Sequence, residues 1–302
     1  MRGDLLWVYE GLTRLLGDVL AVRSGFETAE QYREALAYSA ASLDEKPGRV
    51  WRNTEDTAVS APVLGGSLAY NNWLRNFAYY AEGELLWLHT DMLIRQLTHG
   101  QKSLHDFCLI FLAKGGNTGP ITVRYDFDEL VSDLNQVVSY DWSGFLRERI
   151  TSLSPHADLD GIAQSGWKLM YADEESGYER AKMGKTTVDA YFSLGLIMND
   201  DGTIGDVRFF SPAFDAKLSP GERIVTIDGR PFSADALRQA LTERKSGYNS
   251  PDVAKPIFVT VRIGGVEREA SVIYHGGERF PLLERTANTP DLLSNLLALL
   301  TK

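Results

Sequence analysis

Glu10 stands in WVYEGLT, a lone carboxylate beside a glycine on a stretch that is apolar at positions 5, 8, 12, 15, 16, 19 and 22. That spacing predicts one helix, ended by Ser24-Gly25. On such a helix an isolated acid reads first as a first-turn charge that complements the macrodipole. A second chemical group is the phenol pair Tyr79-Tyr80 ahead of Glu82-Gly83, which on its own terms caps and packs a helix start. Arg52 and Asp56 lie in PGRVWRNTEDTA, residues 47 to 58, where they would either contact a substrate or fix a loop as an ion pair. Five histidines are available, His89, His99, His105, His156 and His275, and none is spaced as H-E-x-x-H. His89 and Asp91 share a helix but not a face, so all five read as surface or structural. The single cysteine, Cys108 in FCLIF, excludes an internal disulfide and a thiolate zinc site and reads as a buried thiol. No Ser-His-Asp or Cys-His arrangement stands out.

These groups need elements to hold them. The chain has 302 residues, 44% hydrophobic and 24% charged, with a net charge of −10. That size suits two domains. The acidic balance argues against a nucleic-acid partner and an anionic membrane surface. No window reaches the roughly 18 apolar residues of a membrane span, and the first residues lack the pattern of a signal peptide. Up to about residue 150 the pattern is helical. Thr28 and Gln31 form a capping box before a helix running to about Leu43. A helix follows from Ala81 to about Thr98, and Ser103, Asp126 and Asp141 each open another. Residues 45 to 66 read as a long irregular segment. After SLSPHADLDG the texture changes to short β-rich runs, among them GWKLMYAD, IGDVRFF, ERIVTIDG and IFVTVRI, punctuated by Asp201-Gly202, Asp228-Gly229 and Gly264-Gly265. One helix near Ala234 to Glu243 interrupts them, and Pro290 to Leu300 reads as a last helix with proline in its first turn.

In order along the chain, LWVYEGLTRLLGDVLAVRSG, PGRVWRNTEDTA and YYAEGELLWLHTDMLIRQLTHGQKSLHDF resemble the glycyl aminopeptidase family of zinc metallopeptidases, of the gluzincin type. The resemblance is strongest over residues 5 to 150. It implies an all-helical, thermolysin-like C-terminal catalytic lobe followed by a PDZ domain. It also implies that Glu10 is the third zinc ligand, completing two histidines of an H-E-x-x-H helix. Such a His₂Glu set leaves a position open for the attacking water. Tyr80 matches the family's oxyanion donor, a role that suits a phenol aimed at developing negative charge. Two positions depart from the family pattern: Ala78, where an aspartate is usual, and His89, where an acid is usual.

The later segment SPAFDAKLSPGERIVTIDGRPF resembles a bacterial PDZ domain, with YFSLGLIM at its carboxylate-binding loop. That resemblance implies that backbone N–H groups of Ser193, Leu194 and Gly195 meet a peptide C-terminus. The peptide would add to the strand edge after Leu196, with the helix around Leu237 as the opposite wall. Two other motifs carry no weight. MGKTT at 183 to 187 lacks the first glycine of a phosphate loop, and DLDG at 158 to 161 lacks the closing acid of a calcium loop.

The expected architecture is therefore multidomain α + β. It comprises a helical catalytic-lobe fragment at 1–155, a PDZ-like β-sandwich or barrel at 156–280 and a helical tail at 281–302. The expected function is the region of a zinc aminopeptidase acting on peptide or protein substrates, with the PDZ groove open to a C-terminal peptide. Without H-E-x-x-H, the 302 residues are expected to be inactive alone and not to bind zinc tightly, the parent chain being longer, with an exported or periplasmic location compatible with it. The alternative is a non-catalytic PDZ-containing peptide-binding or scaffold protein. A truncated lobe also implies an exposed apolar surface near Trp7 and Leu15.

Overall fold

Local capping sets most of the helix starts. Thr28 accepts a hydrogen bond from the Gln31 N–H while the Gln31 side chain accepts from Thr28, as the capping-box spacing predicts. Ser103, Asp126 and Asp141 likewise cap the helices that follow them. The computed structural model describes residues 3–64, 70–114, 119, 122–183, 187–246 and 255–299. Residues 184–186 of the MGKTT stretch lie outside them.

The helices of the first part are α1 (Leu6–Arg23), α2 (Ala29–Asp44), α3 (Thr54–Val59), α4 (Ala61–Leu64), α5 (Asn71–Leu74), α6 (Ala78–Leu97), α7 (Leu104–Phe111), α8 (Phe127–Val137), α9 (Trp142–Thr151) and α10 (Asp160–Gln164). The segment 45 to 66, read as irregular, instead carries a 3₁₀ turn at Pro47–Val50 and the short helices α3 and α4. Then come β1 (Trp167–Ala172), α11 (Gly177–Met183), β2 (Thr187–Ala190), β3 (Leu196–Asn199), β4 (Ile204–Val207), α12 (Pro212–Asp215), β5 (Arg223–Ile227), β6 (Arg230–Pro231), α13 (Ala234–Ser246), β7 (Ile257–Ile263), β8 (Val266–Val272), β9 (Phe280–Arg285) and α14 (Leu292–Leu297). Helix α14 starts at Leu292 with Asp291 as its N-cap, so Pro290 lies before the helix, not in its first turn, and Leu300 of the expected helix lies outside the described residues.

Two cores result. The helical one joins α1, α2 and α6 to α10, and α14 returns from the C-terminal end to add Leu293, Leu296 and Leu297. Trp7 stacks on Trp87 with ring centroids 6.4 Å apart, and the Trp87 indole donates to the Val8 carbonyl at 3.1 Å. Trp7 and Leu15 are both 0% exposed, so these two side chains are not themselves part of an exposed apolar surface, while Tyr9 and Leu20 of the same helix are 60% and 57% exposed. The faces of α1 and α6 cover each other, and α14 closes a further side of α1. The second core lies between the sheets β2-β3-β4 and β6-β5-β7-β8 and is closed by Leu237, Ala240 and Leu241 of α13.

The boundaries differ from the expected ones at both ends of the β part. β1 pairs antiparallel with β9, Trp167 opposite Arg285, in a separate two-stranded sheet, and Trp167 packs into the helical core. Residues 280–285 are thus strand, not part of a helical tail, because their partner is β1 and α2 lies against them. The two parts are joined by Asn72, whose amide donates to the Asp206 carboxylate at 3.0 Å and the Val207 carbonyl at 2.9 Å. Its oxygen accepts from the Phe209 N–H at 3.0 Å. Among the described residues no helix is long and apolar enough to cross a membrane.

Candidate active site

Glu10 lies in the second turn of α1, past the reach of the first-turn dipole. Its role is set instead by α6. Helix α6 begins three residues earlier than the sequence pattern indicates, at Ala78, so Tyr79 and Tyr80 occupy its first turn and Phe77 is the N-cap. The Tyr80 hydroxyl hydrogen-bonds to the Glu10 carboxylate, and Tyr79 hydrogen-bonds to Tyr80. Burial, that hydrogen bond and the Glu10 charge together push the Tyr80 phenol up to about 12. Both residues remain half-buried. A cleft of about 980 Å³ runs alongside, lined by Leu5, Tyr9, Tyr125 and Arg147. Burial raises Tyr125, and the Glu10 charge raises it further. Glu10 and Tyr80 are not among the residues lining the cleft, which adjoins Glu10 in sequence through Tyr9.

A buried charge network holds the base of α6. Glu82 accepts from Arg75 at 2.6 Å and from Arg49. Burial is the first cause that lowers both guanidiniums, Arg49 to about 10 and Arg75 to about 9. The chain reaches α6 through three non-glycine residues in the left-handed region, Tyr70, Arg75 and Phe77 at φ 56°, 54° and 57°. Each such conformation costs on the order of 1 kcal/mol or more. The segment is tied down by the Arg75 network on one side and by Trp73 stacked on Phe209 at 4.7 Å on the other. Arg52 is buried in the same web. It bonds the Leu74 carbonyl, the Asn76 side chain at 3.5 Å, the Asp56 carbonyl at 3.5 Å and Ser60. It therefore fixes the loop and is not offered to a substrate, and it meets Asp56 through the backbone, not the carboxylate. Asp56 itself is exposed in the first turn of α3.

The histidine expected to be structural is the most deeply engaged. His89 is 3% exposed. Its Nδ1 donates to Asp158 at 2.8 Å and its Nε2 accepts from the Gln164 amide at 3.0 Å, so both ring nitrogens are used. Arg149 donates to the same Asp158 carboxylate at 2.9 Å. Among the described residues, His89, Asp158 and Asp160 are the one group of three potential metal ligands whose atoms converge, within 4.8 Å. A guanidinium already sits on that carboxylate, so the cluster is an ion-pair network. Glu10 is not part of it. A zinc ion at Glu10 would find one suitable oxygen ligand there and no imidazole pair, so the described residues do not complete a His₂Glu set.

In the β part, Ser193, Leu194, Gly195 and Leu196 are all buried. The N–H groups of Ser193, Leu194 and Gly195 point at one acceptor, the Ala190 carbonyl, at 3.2, 2.8 and 3.0 Å. The edge after Leu196 is not free as expected: β3 lies between β2 and β4. Leu237 does wall a groove of about 370 Å³, shared with β2. The sequence reading missed Arg49, Arg75, Glu82 and Asn72. Glu82 stood inside the very YYAEG stretch singled out, but nothing local marked which cations it would meet.

The M61 glycyl aminopeptidase family model matches residues 1–86. No curated protein matches the sequence. Among solved structures, an aminopeptidase N family protein from Idiomarina loihiensis is similar over 98% of this chain and 49% of that chain, at 18% identity and a TM-score of 0.69. The chain spans about half the length of that protein, and at such identity the likeness concerns the fold. The HtrA3 PDZ domain bound to a phage-derived ligand aligns with 39% of this chain and 92% of that chain, at 15% identity and a TM-score of 0.17, too low to carry an argument. The family match falls on the stretch that carries Glu10 and Tyr80, so residues 1–86 are similar to that family.

Proposed function

We propose that Glu10 and Tyr80 are one half of a zinc aminopeptidase site acting on peptides, the two imidazoles and the general base coming from an H-E-x-x-H helix outside these 302 residues. The observation that carries this reading is the hydrogen bond between the Glu10 carboxylate and the Tyr80 phenol. Zinc in such a site polarises the scissile carbonyl and activates a water. This chain's own residues do two things: Glu10 presents an oxygen ligand, and Tyr80 presents an O–H that can leave Glu10 for an oxyanion. The cleft walled by Tyr9 and Tyr125 offers aromatic surface to a peptide.

The β part supports a second role for the same polypeptide, as a PDZ-like peptide-binding module. In favour of this reading, the order is β3, β4, α12, β5, β6, α13, β7, β3 begins at a turn of convergent N–H groups, and α13 walls a groove beside the adjoining β2. Zinc titration by calorimetry tests the first role. The 302-residue chain alone is expected to show no tight one-to-one binding, and tight binding would refute the division of the site.

A further inference from the structure

The N–H groups of Ser193, Leu194 and Gly195 converge as a carboxylate-binding turn would, yet their acceptor belongs to the chain itself. The Ala190 carbonyl sits where those three donors meet. The strand that ends at Ala190 runs antiparallel along β3, with Ala190 opposite Leu196 and Thr187 opposite Asn199. Alternate residues of that strand, Ala190 and Val188, pack on the core cluster that holds Leu194, Leu196, Leu237 and Leu241. Direction, register and alternation are those of a peptide added to β3 with its C-terminus in the turn. On its other side the strand meets the groove beside α13. It is also held from the helical part: the Tyr38 hydroxyl of α2 donates to Asp189 at 2.9 Å.

We propose that Thr187–Ala190 is a built-in occupant of the peptide groove, and that a free peptide with small aliphatic residues at its last and antepenultimate positions displaces it. A carboxylate is the stronger acceptor for the three N–H groups than the neutral Ala190 carbonyl, since charge-assisted hydrogen bonds exceed neutral ones. Two arginines flank the turn. Arg208 packs against Gly195, the Arg279 N–H donates to Ser193, and the two side chains share the carboxylate of Glu45. Displacement frees Asp189 from Tyr38, so occupancy of the groove is reported to α2.

This inference rests on the β part being a peptide-binding module and is independent of zinc. The test uses the 302-residue chain and a fluorescein-labelled peptide ending in Thr-Val-Asp-Ala with a free carboxylate, followed by anisotropy. Asp189→Asn weakens the hold on the segment, and Tyr38→Phe removes the same hydrogen bond from the α2 side should the first variant fold poorly. The expected result is weak binding by the unaltered chain, affinity raised about tenfold in either folded variant as the competing closed state loses population, and loss of binding by the C-terminal amide. Equal affinity in all three proteins overturns the built-in occupant. No binding by any folded variant, or equal binding of acid and amide, overturns the module itself.

Discussion

Gly11 of α1 and Gly83 of α6 meet backbone to backbone. A Cβ built on Gly11 would lie 2.4 Å from the Gly83 carbonyl carbon, and one on Gly83 would lie 2.5 Å from the Trp7 carbonyl oxygen. Each glycine is the neighbour of an acid, Glu10 and Glu82, so this contact sets the distance at which Glu10 can reach Tyr80. Gly83→Ala is expected to force the helices apart, at a cost of about 1–3 kcal/mol by the usual scale of overpacking. It should also break the Glu10–Tyr80 hydrogen bond. Urea unfolding of Gly83→Ala and Gly11→Ala checks the first outcome.

The Tyr80 phenol reports on Glu10 directly. Burial raises it first, and the hydrogen bond and charge of Glu10 raise it further, to about 12. Glu10→Gln removes the charge and weakens the acceptor, so Tyr80 is expected to ionise at lower pH in that variant. Ultraviolet difference titration against Tyr80→Phe isolates the signal. An unchanged midpoint would mean the two side chains do not interact.

Glu82 is the one carboxylate that both Arg49 and Arg75 pair with, and all three side chains are buried. Removing one partner of a buried pair leaves an uncompensated charge, typically about 3–5 kcal/mol. Glu82→Gln is therefore expected to destabilise the chain by that order, and more than Arg49→Met, which leaves Glu82 its bond to Arg75. Chemical denaturation of the two variants gives the comparison.

Glu84, one residue beyond Gly83, is 1% exposed. Burial pushes it up to about 7 despite Arg14 at 2.5 Å. The folded state then holds a proton that the unfolded chain releases near pH 4.5. This contribution to stability is complete below pH 4.5 and is lost as pH rises through about 7. It amounts to something on the order of 3 kcal/mol. Glu179, raised to about 7 chiefly by burial, acts in the same direction. Thermal unfolding is expected to show the chain losing stability from pH 5 to pH 8, and Glu84→Gln to flatten that slope. A slope unchanged in Glu84→Gln would assign the effect elsewhere.

What the sequence disclosed was what is local. Thr28 with Gln31, Ser103, Asp126 and Asp141 each announce a helix start because the cap and its donor are three residues apart or fewer. The WVYEG and YYAEG stretches pointed to a site only through their resemblance to the metallopeptidase family; read alone, Glu10 and Tyr80 were a helix acid and a packing phenol. What remained hidden depends on long-range meetings. The burial of Trp7 needs α6 and α14, and the strand at 280–285 needs β1 more than a hundred residues earlier. The start of α6 at Ala78 was missed because Phe77 adopts a left-handed conformation that no glycine advertises. The occupied edge of β3 was missed for a related reason: three N–H groups read as open to a ligand carry no mark of an acceptor three residues before the first of them.

The most direct test of the divided site is the zinc content of the 302-residue chain purified in complex with a polypeptide that supplies the H-E-x-x-H helix. One zinc per complex is expected, lost on Glu10→Ala and kept on Tyr80→Phe, with the latter lowering peptide hydrolysis by about 10²–10³-fold. Full zinc content in the Glu10→Ala complex would contradict the assignment of Glu10.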